Sequence, residues 1–252
     1  MHTFLVIIYV LIGGVLAGIM SSAASFASLV SYPLLLSVGI PPVYANVTND
    51  AALIWNSIGS VFSSGRELHG HWKDVGKYAI CTILGSACGS FLLLAFPGKT
   101  FEKVVPFFIL IAGIMVIVSG QHKAIQQVQR PLWQKVAYLT LLTIVGMYAG
   151  YFGAAAGIVV LVLLTYLMSE NFLVVNAIKN AVCGLANLTA LIIYMFNSHI
   201  YWNFAIPMAI GMFVGGYVGP IIVRHVPARL MRIIIAILAL TQAAIYFYKA
   251  YL

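Results

Sequence analysis

Long uninterrupted apolar runs dominate this chain of 252 residues. A helix needs about 20 apolar residues to cross the hydrocarbon core of a bilayer. Runs of about that length cover residues 43–63, 75–97, 103–120, 173–196, 203–223 and 230–250. With 63% hydrophobic and 7% charged residues, the chain could not cover the surface of a water-soluble domain with polar groups. The sequence therefore predicts an all-α, polytopic bundle of membrane helices.

Two further runs, residues 4–38 and 134–168, are too long for one crossing. The first contains a cluster of small residues at 21–25, and the second contains several glycines around Tyr151 and Phe152. Such clusters loosen a helix, so each run is predicted to form two half-length helices folded into a hairpin. In the first run the halves would have about 17 and 13 residues, and neither would comfortably span the bilayer. Broken backbone at membrane depth is tolerated where it lines a wet cavity or is buried in protein.

Small and polar residues recur at a constant spacing in the two halves of the chain. A shift of 132 positions aligns Gly18 with Gly150, Ala45 with Ala177 and Thr48 with Asn180. Further along, a shift of 130 positions aligns four more residues with an identical residue: Trp72 with Trp202, Gly85 with Gly215, Gly89 with Gly219 and Pro97 with Pro227. Apolar residues coincide easily in such a chain, whereas glycine, proline and tryptophan do not. We therefore predict two homologous membrane repeats, residues 1–120 and 134–252, with a linker at 121–133 and a binding site between the repeats.

Basic residues indicate how the repeats are oriented. If each repeat is a hairpin followed by three crossings, the repeats are antiparallel, and nine basic residues face one side of the membrane against three on the other. If every run crossed once, the repeats would be parallel and the division would be seven against five. Because basic residues concentrate in cytoplasmic loops, we predict inverted repeats with both termini outside. The same tendency explains the net charge of +8 without a nucleic-acid partner.

Lys179 is an unusual residue in its apolar run, since a lysine near the centre of a membrane helix costs about 2.5–3.5 kcal/mol on insertion scales. Two interpretations are open at this point. The side chain could extend to an interface, or it could face a central cavity and bind an anion or a carboxylate. Asp50 is the predicted ion-pair partner, because it is the only acid within a predicted crossing.

Amides and hydroxyls cluster in the predicted crossings on both sides of the linker. They are Asn46, Thr48, Asn49 and Asn56 in the first repeat and Asn176, Asn180 and Asn187 in the second. Each could serve only to join two helices, or several could line a shared cavity. Asn180 and Asn187 are seven positions apart and therefore share a helix face, with Lys179 beside them.

The remaining polar residues form no recognisable catalytic or metal site. His69 and His71 lack a third ligand for a metal ion, and Cys81, Cys88 and Cys183 lie in apolar runs, where we expect unpaired core residues. No Walker loop, HExxH or GxSxG motif occurs in the chain. We therefore expect no cofactor, no ATP hydrolysis and no enzymatic activity, although a membrane enzyme and an assembly protein remain alternatives to a transporter.

Several of these residues resemble a known family. The segment from Pro33 to Thr48 is similar to the first-repeat signature of the TauE/SafE sulfite-exporter family. In the second repeat, GYFGAAAG at 150–157 resembles the YfcA-like branch of that family, together with Ala177, Lys179, Asn180, Asn187, Trp202, Met208, Gly211, Gly215, Gly219 and Arg232. The resemblance spans nearly the whole chain. The first hairpin departs from the glycine-rich family pattern, because it reads SSAASFAS.

The resemblance implies a permease that moves a small anion, such as sulfite or an organosulfonate, across the cytoplasmic membrane by alternating access. Half-helix N-termini present unpaired N–H groups and about half a positive charge, which suits an anion. The expected substrate-binding residues are Ser22, Ser25, Gly153 and Ala154 at the hairpin tips and Thr48, Asn49, Lys179, Asn180 and Asn187 on the walls. Asp50 and Lys179 are expected to form an ion pair or a coupling site.

A passive anion channel of the same architecture is the alternative function. The expected partners are the anion and the lipid bilayer of the inner membrane, with no nucleic acid, and a homodimer is compatible with the sequence.

Overall fold

A computed structural model describes residues 2–96, 131–153, 156–168 and 170–223, together with isolated positions at 107, 110, 237, 240, 241, 244, 247 and 248. Every regular element in this part of the chain is helical. The helices are α1 (His2–Ala24), α2 (Ala27–Ser37), α3 (Pro42–Ser63), α4 (Gly65–Leu68), α5 (Trp72–Ala95), α6 (Leu132–Tyr151), α7 (Ala156–Leu167), α8 (Phe172–Asn197) and α9 (Trp202–Val223). The all-α prediction is confirmed.

Some predicted segments lie outside the described residues. These are the crossings at 103–120 and 230–250, apart from isolated positions, and most of the linker at 121–133. The repeat boundaries and the inverted orientation stay predictions from the sequence.

In the part of the chain that the structure describes, four helices are long and apolar enough to cross a membrane. They are Phe4–Ala23 in α1, Trp72–Ala95 in α5, Phe172–Asn197 in α8 and Trp202–Ile222 in α9. The chain is therefore a multi-pass membrane protein. Helix α3 has 22 residues but carries buried amides and Asp50, so the surrounding helices shield these polar side chains from lipid.

Local sequence explains where several of these helices begin. Pro41 and Pro131 directly precede α3 and α6, and proline near the first turn loses no helical hydrogen bond because the N–H groups there have no helical partner. Asn171 caps α8, since its side-chain oxygen accepts a hydrogen bond from the Val174 amide at 3.0 Å.

Each predicted hairpin pairs one long helix with one short helix. Helix α1 has 23 residues and α2 has 11, or ~34 Å and ~16 Å at 1.5 Å per residue. They run antiparallel, because Tyr9 near the start of α1 lies 3.3 Å from Ser37 at the end of α2. Helices α6 and α7 repeat this arrangement with 20 and 12 residues.

The prediction that neither half of the first hairpin spans the bilayer is wrong for α1. Its small residues at 21–24 continue the helix, and the Ser22 hydroxyl bonds back to the Gly18 carbonyl at 2.9 Å. The chain breaks only at Ser25.

The packing of the described helices is reciprocal. Helix α1 lies along α9, and α6 lies along α5. The central helices α3 and α8 contact each other, while α3 also packs on α9 and α8 on α5. The first helix of each half therefore packs on the last described helix of the other half, and the two hairpin breaks are brought to the centre of the bundle.

Glycines allow the long helices to approach closely. A Cβ atom on Gly85 of α5 would lie 2.0 Å from the Thr143 carbonyl oxygen of α6. On Gly215 of α9, it would lie 2.2 Å from the Val15 carbonyl oxygen of α1. These glycines therefore serve helix packing, as expected for small residues four apart in membrane helices.

The same contacts correct the register of the first helices. Gly85 and Gly215 are 130 positions apart, but their partners Thr143 and Val15 are 128 apart. With this spacing of 128 positions, Gly18 of α1 is the repeat equivalent of Gly146 of α6, not of Gly150. The sequence misleads here because glycines recur every four residues in both helices, so a slip of one helical turn still matches glycine to glycine.

Candidate functional site

A small cavity lined by both polar and apolar residues lies where the two hairpin breaks meet α3, α5 and α8. Its volume is about 60 Å³, which is room for a few water molecules or for one small anion. Both halves of the chain line it, through Ser21, Ser25, Ala27, Ser28, Leu53, Asn56, Ser57 and Thr82 from the first and Gly146, Ala149, Gly153, Ala156, Gly157, Val160, Lys179, Asn180, Cys183, Ala186 and Asn187 from the second.

Two residues with left-handed backbone form the tips of the hairpins. Ser25 has φ of 67° and Gly153 has φ of 71°, and the two are 128 positions apart. Each tip ends a long helix and directs the start of a short one towards the cavity, where Ala27 and Ala156 contribute to the wall. Two half-helix N-termini therefore meet at this cavity, and each carries about half a positive charge.

Ser25 is the only non-glycine residue with positive φ in the described part of the chain. The left-handed conformation costs roughly 1–2 kcal/mol for a residue with a Cβ atom. A strained residue that persists at a site suggests a role for its side chain. The Ser25 hydroxyl accepts a hydrogen bond from the Lys179 ammonium at 2.7 Å.

The strain at Ser25 predicts an unusual order of stabilities. Ser25→Ala should be less stable than Ser25→Gly by about 1 kcal/mol, because both lose the hydroxyl but alanine keeps the left-handed strain. At Ser22, inside α1, the order should be reversed because alanine is the better helix former. Thermal unfolding of the four purified variants measures both orders, and an alanine at position 25 that is more stable than glycine would contradict the strain.

Lys179 is buried, with 1% of its side chain exposed. The interfacial interpretation of this residue is therefore wrong. The predicted ion pair is also absent, because the only salt bridge among the described residues joins His71 and Asp74. Lys179 lies at the first hairpin tip, whereas Asp50 lies near Tyr194 and the end of α6.

The ammonium group of Lys179 can donate three hydrogen bonds, and Ser25 is its one hydrogen-bond partner among the described residues. A buried charge without a counter-charge is strongly unfavourable. No acidic residue is among the described residues that line the cavity. The uncompensated positive charge of Lys179 therefore favours binding of an anion in the cavity.

Three asparagines donate hydrogen bonds to the chain at the first hairpin tip. Asn176 and Asn180 both donate to the Ser22 carbonyl, at 3.1 and 3.2 Å, and Asn56 donates to the Ser21 hydroxyl at 2.7 Å. The Ser22 side chain itself turns back into α1 and does not line the cavity. Ser21 takes the place predicted for Ser22, because it lies one turn from Ser25 on the cavity side of the chain.

Two further predicted wall residues lie away from the cavity. Thr48 accepts a hydrogen bond from the Tyr201 amide at 3.2 Å, and Asn49 donates to the Ser28 hydroxyl at 3.2 Å. They join helices in this structure. The face of α3 that reaches the cavity carries Leu53, Asn56 and Ser57 instead.

Of the other predicted site residues, four line the cavity and one is not described by the structure. Gly153, Lys179, Asn180 and Asn187 line the cavity, and Ala154 lies outside the described residues. Asn56, which the sequence left open as either a helix-joining or a cavity-lining residue, lines the cavity and lies two helical turns after Asn49. Ser28, Ser57 and Thr82 also line it but were not predicted, since isolated hydroxyls are common in membrane helices.

Comparison with known proteins identifies the family. Residues 10–246 match the family model described as "Sulfite exporter TauE/SafE". The chain is 24% identical to the "Probable membrane transporter protein ORF9" of Sinorhizobium sp, over 96% of this chain and 91% of that protein. It is also 24% identical to the "Probable membrane transporter protein YfcA" of Escherichia coli K12, over 94% and 87%.

A "Probable membrane transporter protein" of Haemophilus influenzae is similar at the same identity, over 92% of this chain and 90% of the relative. No solved structure matches the chain significantly. Together with the spanning helices, the family match shows that this chain is a membrane transporter that belongs to the TauE/SafE sulfite exporter family.

Proposed function

We propose that the protein is a permease that moves a small anion, of the class of sulfite and organosulfonates, across the cytoplasmic membrane by alternating access and without ATP hydrolysis. One observation carries the proposal: Lys179 is buried at a cavity between the two hairpins and has no acidic partner among the described residues. A membrane protein keeps such a charge only where a ligand or a water-filled path compensates it.

The cavity chemistry favours an oxyanion over a cation or a neutral solute. Lys179 supplies a full positive charge, and the starts of α2 and α7 add partial positive charges and N–H donors. Hydroxyls of Ser21, Ser25 and Ser28 can donate to further oxygens. An oxyanion offers several acceptor oxygens in a compact shape, which suits donors converging from different directions.

The volume favours the smaller members of this class. The cavity is small, at about 60 Å³, so a compact anion such as sulfite requires less separation of the hairpin tips than an organosulfonate with a carbon chain. The tips come from different halves of the chain, so relative movement of the halves would enlarge and open the site. Such rocking around a fixed site is how many transporters with repeated halves alternate access.

Binding of sulfite should raise the unfolding temperature of the purified protein. A ligand that binds only the folded state stabilises it by about 2.7 kcal/mol at a hundred times its Kd. We expect this shift with sulfite and a smaller shift or none with small carboxylates of equal charge, and sulfate, thiosulfate and taurine complete the series. A flat response to every sulfur oxyanion and sulfonate would contradict the proposed substrate class.

Uptake of radiolabelled sulfite into proteoliposomes separates the permease from a channel. Alternating access limits the rate by conformational change, so the permease rate should saturate with sulfite concentration, and unlabelled internal sulfite should accelerate entry of the label by exchange. A rate that rises linearly to high concentration without exchange would favour the passive channel.

A further inference from the structure

A second buried polar site lies on the other side of the second hairpin tip. Asp50 is 2% exposed, and its Oδ2 atom has no hydrogen-bond partner among the described residues. The Oδ1 atom of Asn46, one turn earlier on the same face of α3, is equally unpartnered there. Neither residue lines the cavity that contains Lys179.

The surroundings of Asp50 are unfavourable for a carboxylate anion. Asn46 donates its amide to the Tyr151 carbonyl at the end of α6, at 3.3 Å, and Tyr194 donates to the preceding carbonyl, that of Gly150. Asp50 therefore lies beside the C-terminal end of α6, where the helix dipole is negative. An ionised carboxylate there would have neither a cation nor a favourable dipole.

The titratable groups on the helices around α3 do not supply a counter-ion. Tyr194 on α8 interacts electrostatically with Asp50, but a phenol is neutral at physiological pH. Lys179 is bonded to the other hairpin tip, and no residue in the described ranges forms an ion pair with Asp50. The other titratable groups with described side chains on α3 and its neighbouring helices are Tyr44 on α3, Cys183 on α8, Tyr32 on α2, Lys135, Tyr138, Tyr148 and Tyr151 on α6, Tyr9 on α1, Arg66 and Glu67 on α4 and Tyr217 on α9.

The residue in the second half that is equivalent to Asp50 shows which hydrogen bond a side chain at this position can make. Helices α3 and α8 begin 130 positions apart, and Asn46 and Asn176, also 130 apart, each donate to the backbone at the end of the opposite half's first helix. Asp50, rather than Thr48 as the shift of 132 suggested, therefore corresponds to Asn180. Asn180 donates to the Ser22 carbonyl, and Ser22 corresponds to Gly150 at the shift of 128 that relates α1 to α6. By analogy with Asn180, the side chain at position 50 should donate a hydrogen bond to a carbonyl at the end of α6. A carboxylate cannot donate, whereas a protonated carboxyl can.

From this arrangement we propose that Asp50 binds the proton that is coupled to anion transport. The proton comes from water on one side of the membrane, forms an O–H bond at Asp50 that donates to the acceptors around the end of α6, and returns to water on the other side. No redox change or further reactant is involved. A sodium ion is disfavoured, because only two unpartnered side-chain oxygens, Asp50 Oδ2 and Asn46 Oδ1, lie together there among the described residues, which is too few to replace the hydration shell of the ion.

Coupling would act through the second hairpin tip, which both sites share. Gly153 lines the anion cavity, while the end of α6 that precedes it contacts Asn46. Loss of the proton would leave a negative charge against the negative end of α6 and so bias the position of the tip. The inference rests on the proposed function for its transport step, but the protonation of Asp50 can be tested without any substrate.

Infrared spectroscopy of the purified protein tests the proton directly. The wild type should show the carbonyl stretch of a buried, protonated carboxylic acid near neutral pH. Asp50→Asn should lack this band, and Asp74→Asn should keep it, because the Asp74 side chain is 40% exposed and bonds to His71. Absence of the band from the wild type, or its persistence in Asp50→Asn, would overturn the proposal.

Proteoliposomes test the coupling with sulfite as the probe. An imposed pH gradient should drive uphill uptake by the wild type and by Asp74→Asn. Asp50→Asn, which imitates the protonated acid and the equivalent Asn180, should keep sulfite exchange but lose the gradient-driven accumulation. Retained accumulation in Asp50→Asn, or accumulation driven by sodium instead, would refute a coupling proton at Asp50. If the wild type does not take up sulfite at all, the proposed substrate fails, while the infrared result still decides whether Asp50 carries a proton.

Discussion

Lys179→Met should lose sulfite binding and transport while the protein still folds. Methionine fills a similar volume without the charge, and because a buried charge without a counter-charge is costly, its removal should not destabilise the fold. Removing one partner of a buried charge pair typically costs 2–5 kcal/mol of binding, so the affinity for sulfite should fall by about 30-fold or more. Titration calorimetry of the purified variant measures the affinity, and proteoliposome uptake measures the transport.

Lys77→Met is the matched control for this variant. Lys77 is also a lysine in a long helix, but it is exposed and lies outside the cavity lining. It should bind sulfite as the wild type does. Equal affinities for the wild type and Lys179→Met, in protein that elutes as one folded species, would remove the ammonium group from the binding site and the proposed function with it.

The sequence predicted the parts of the site that follow from helix periodicity. Asn180 and Asn187 lie seven positions apart with Lys179 adjacent, and the structure places all three on one cavity. A single helix face is local information, so spacing alone is sufficient to find it. The all-helical fold is predictable for a similar reason, because composition and run length determine what can cross a bilayer.

The position of Asp50 could not be obtained in the same way. Asp50 and Lys179 were predicted to pair because each is the one charge in its crossing, but pairing depends on which tip each helix faces. Lys179 meets Ser25 of the first tip, while Asp50 lies near the end of α6. Which tip a helix faces is fixed by long-range packing between the halves, and no local pattern records it.

Backbone conformation explains why the break in the first hairpin lies later in the chain than the sequence predicted. Small residues at 21–24 suggested an early break, yet serine and alanine are compatible with a helix and α1 continues to Ala24. The actual break depends on one left-handed residue, Ser25. Left-handed serine is uncommon, so a sequence pattern that expects glycine at a tip does not identify it.

Gly89→Leu should prevent assembly of the bundle. Gly89 lies where α5 crosses α6, and a Cβ atom there would lie 1.9 Å from the Met147 carbonyl oxygen and 2.9 Å from the Tyr151 amide nitrogen. Both contacts are with backbone, so no rotamer change relieves them. Overpacking a well-packed site by one methylene typically costs 1–3 kcal/mol, and a leucine adds several carbons at a contact that does not accept one. We expect little or no monodisperse protein in size-exclusion chromatography.

Gly76→Leu on the same helix provides the control. Gly76 is exposed, and a Cβ atom there has no neighbour within 4 Å, so leucine should raise helix propensity without a clash. Gly89→Ala is the informative intermediate, because one methyl group must push α6 away from α5. Since α6 ends at the second hairpin tip, this displacement should reduce sulfite affinity in the protein that still folds, whereas Gly76→Ala should not. Wild-type stability and affinity in Gly89→Ala would mean that α5 and α6 do not hold the tip in place.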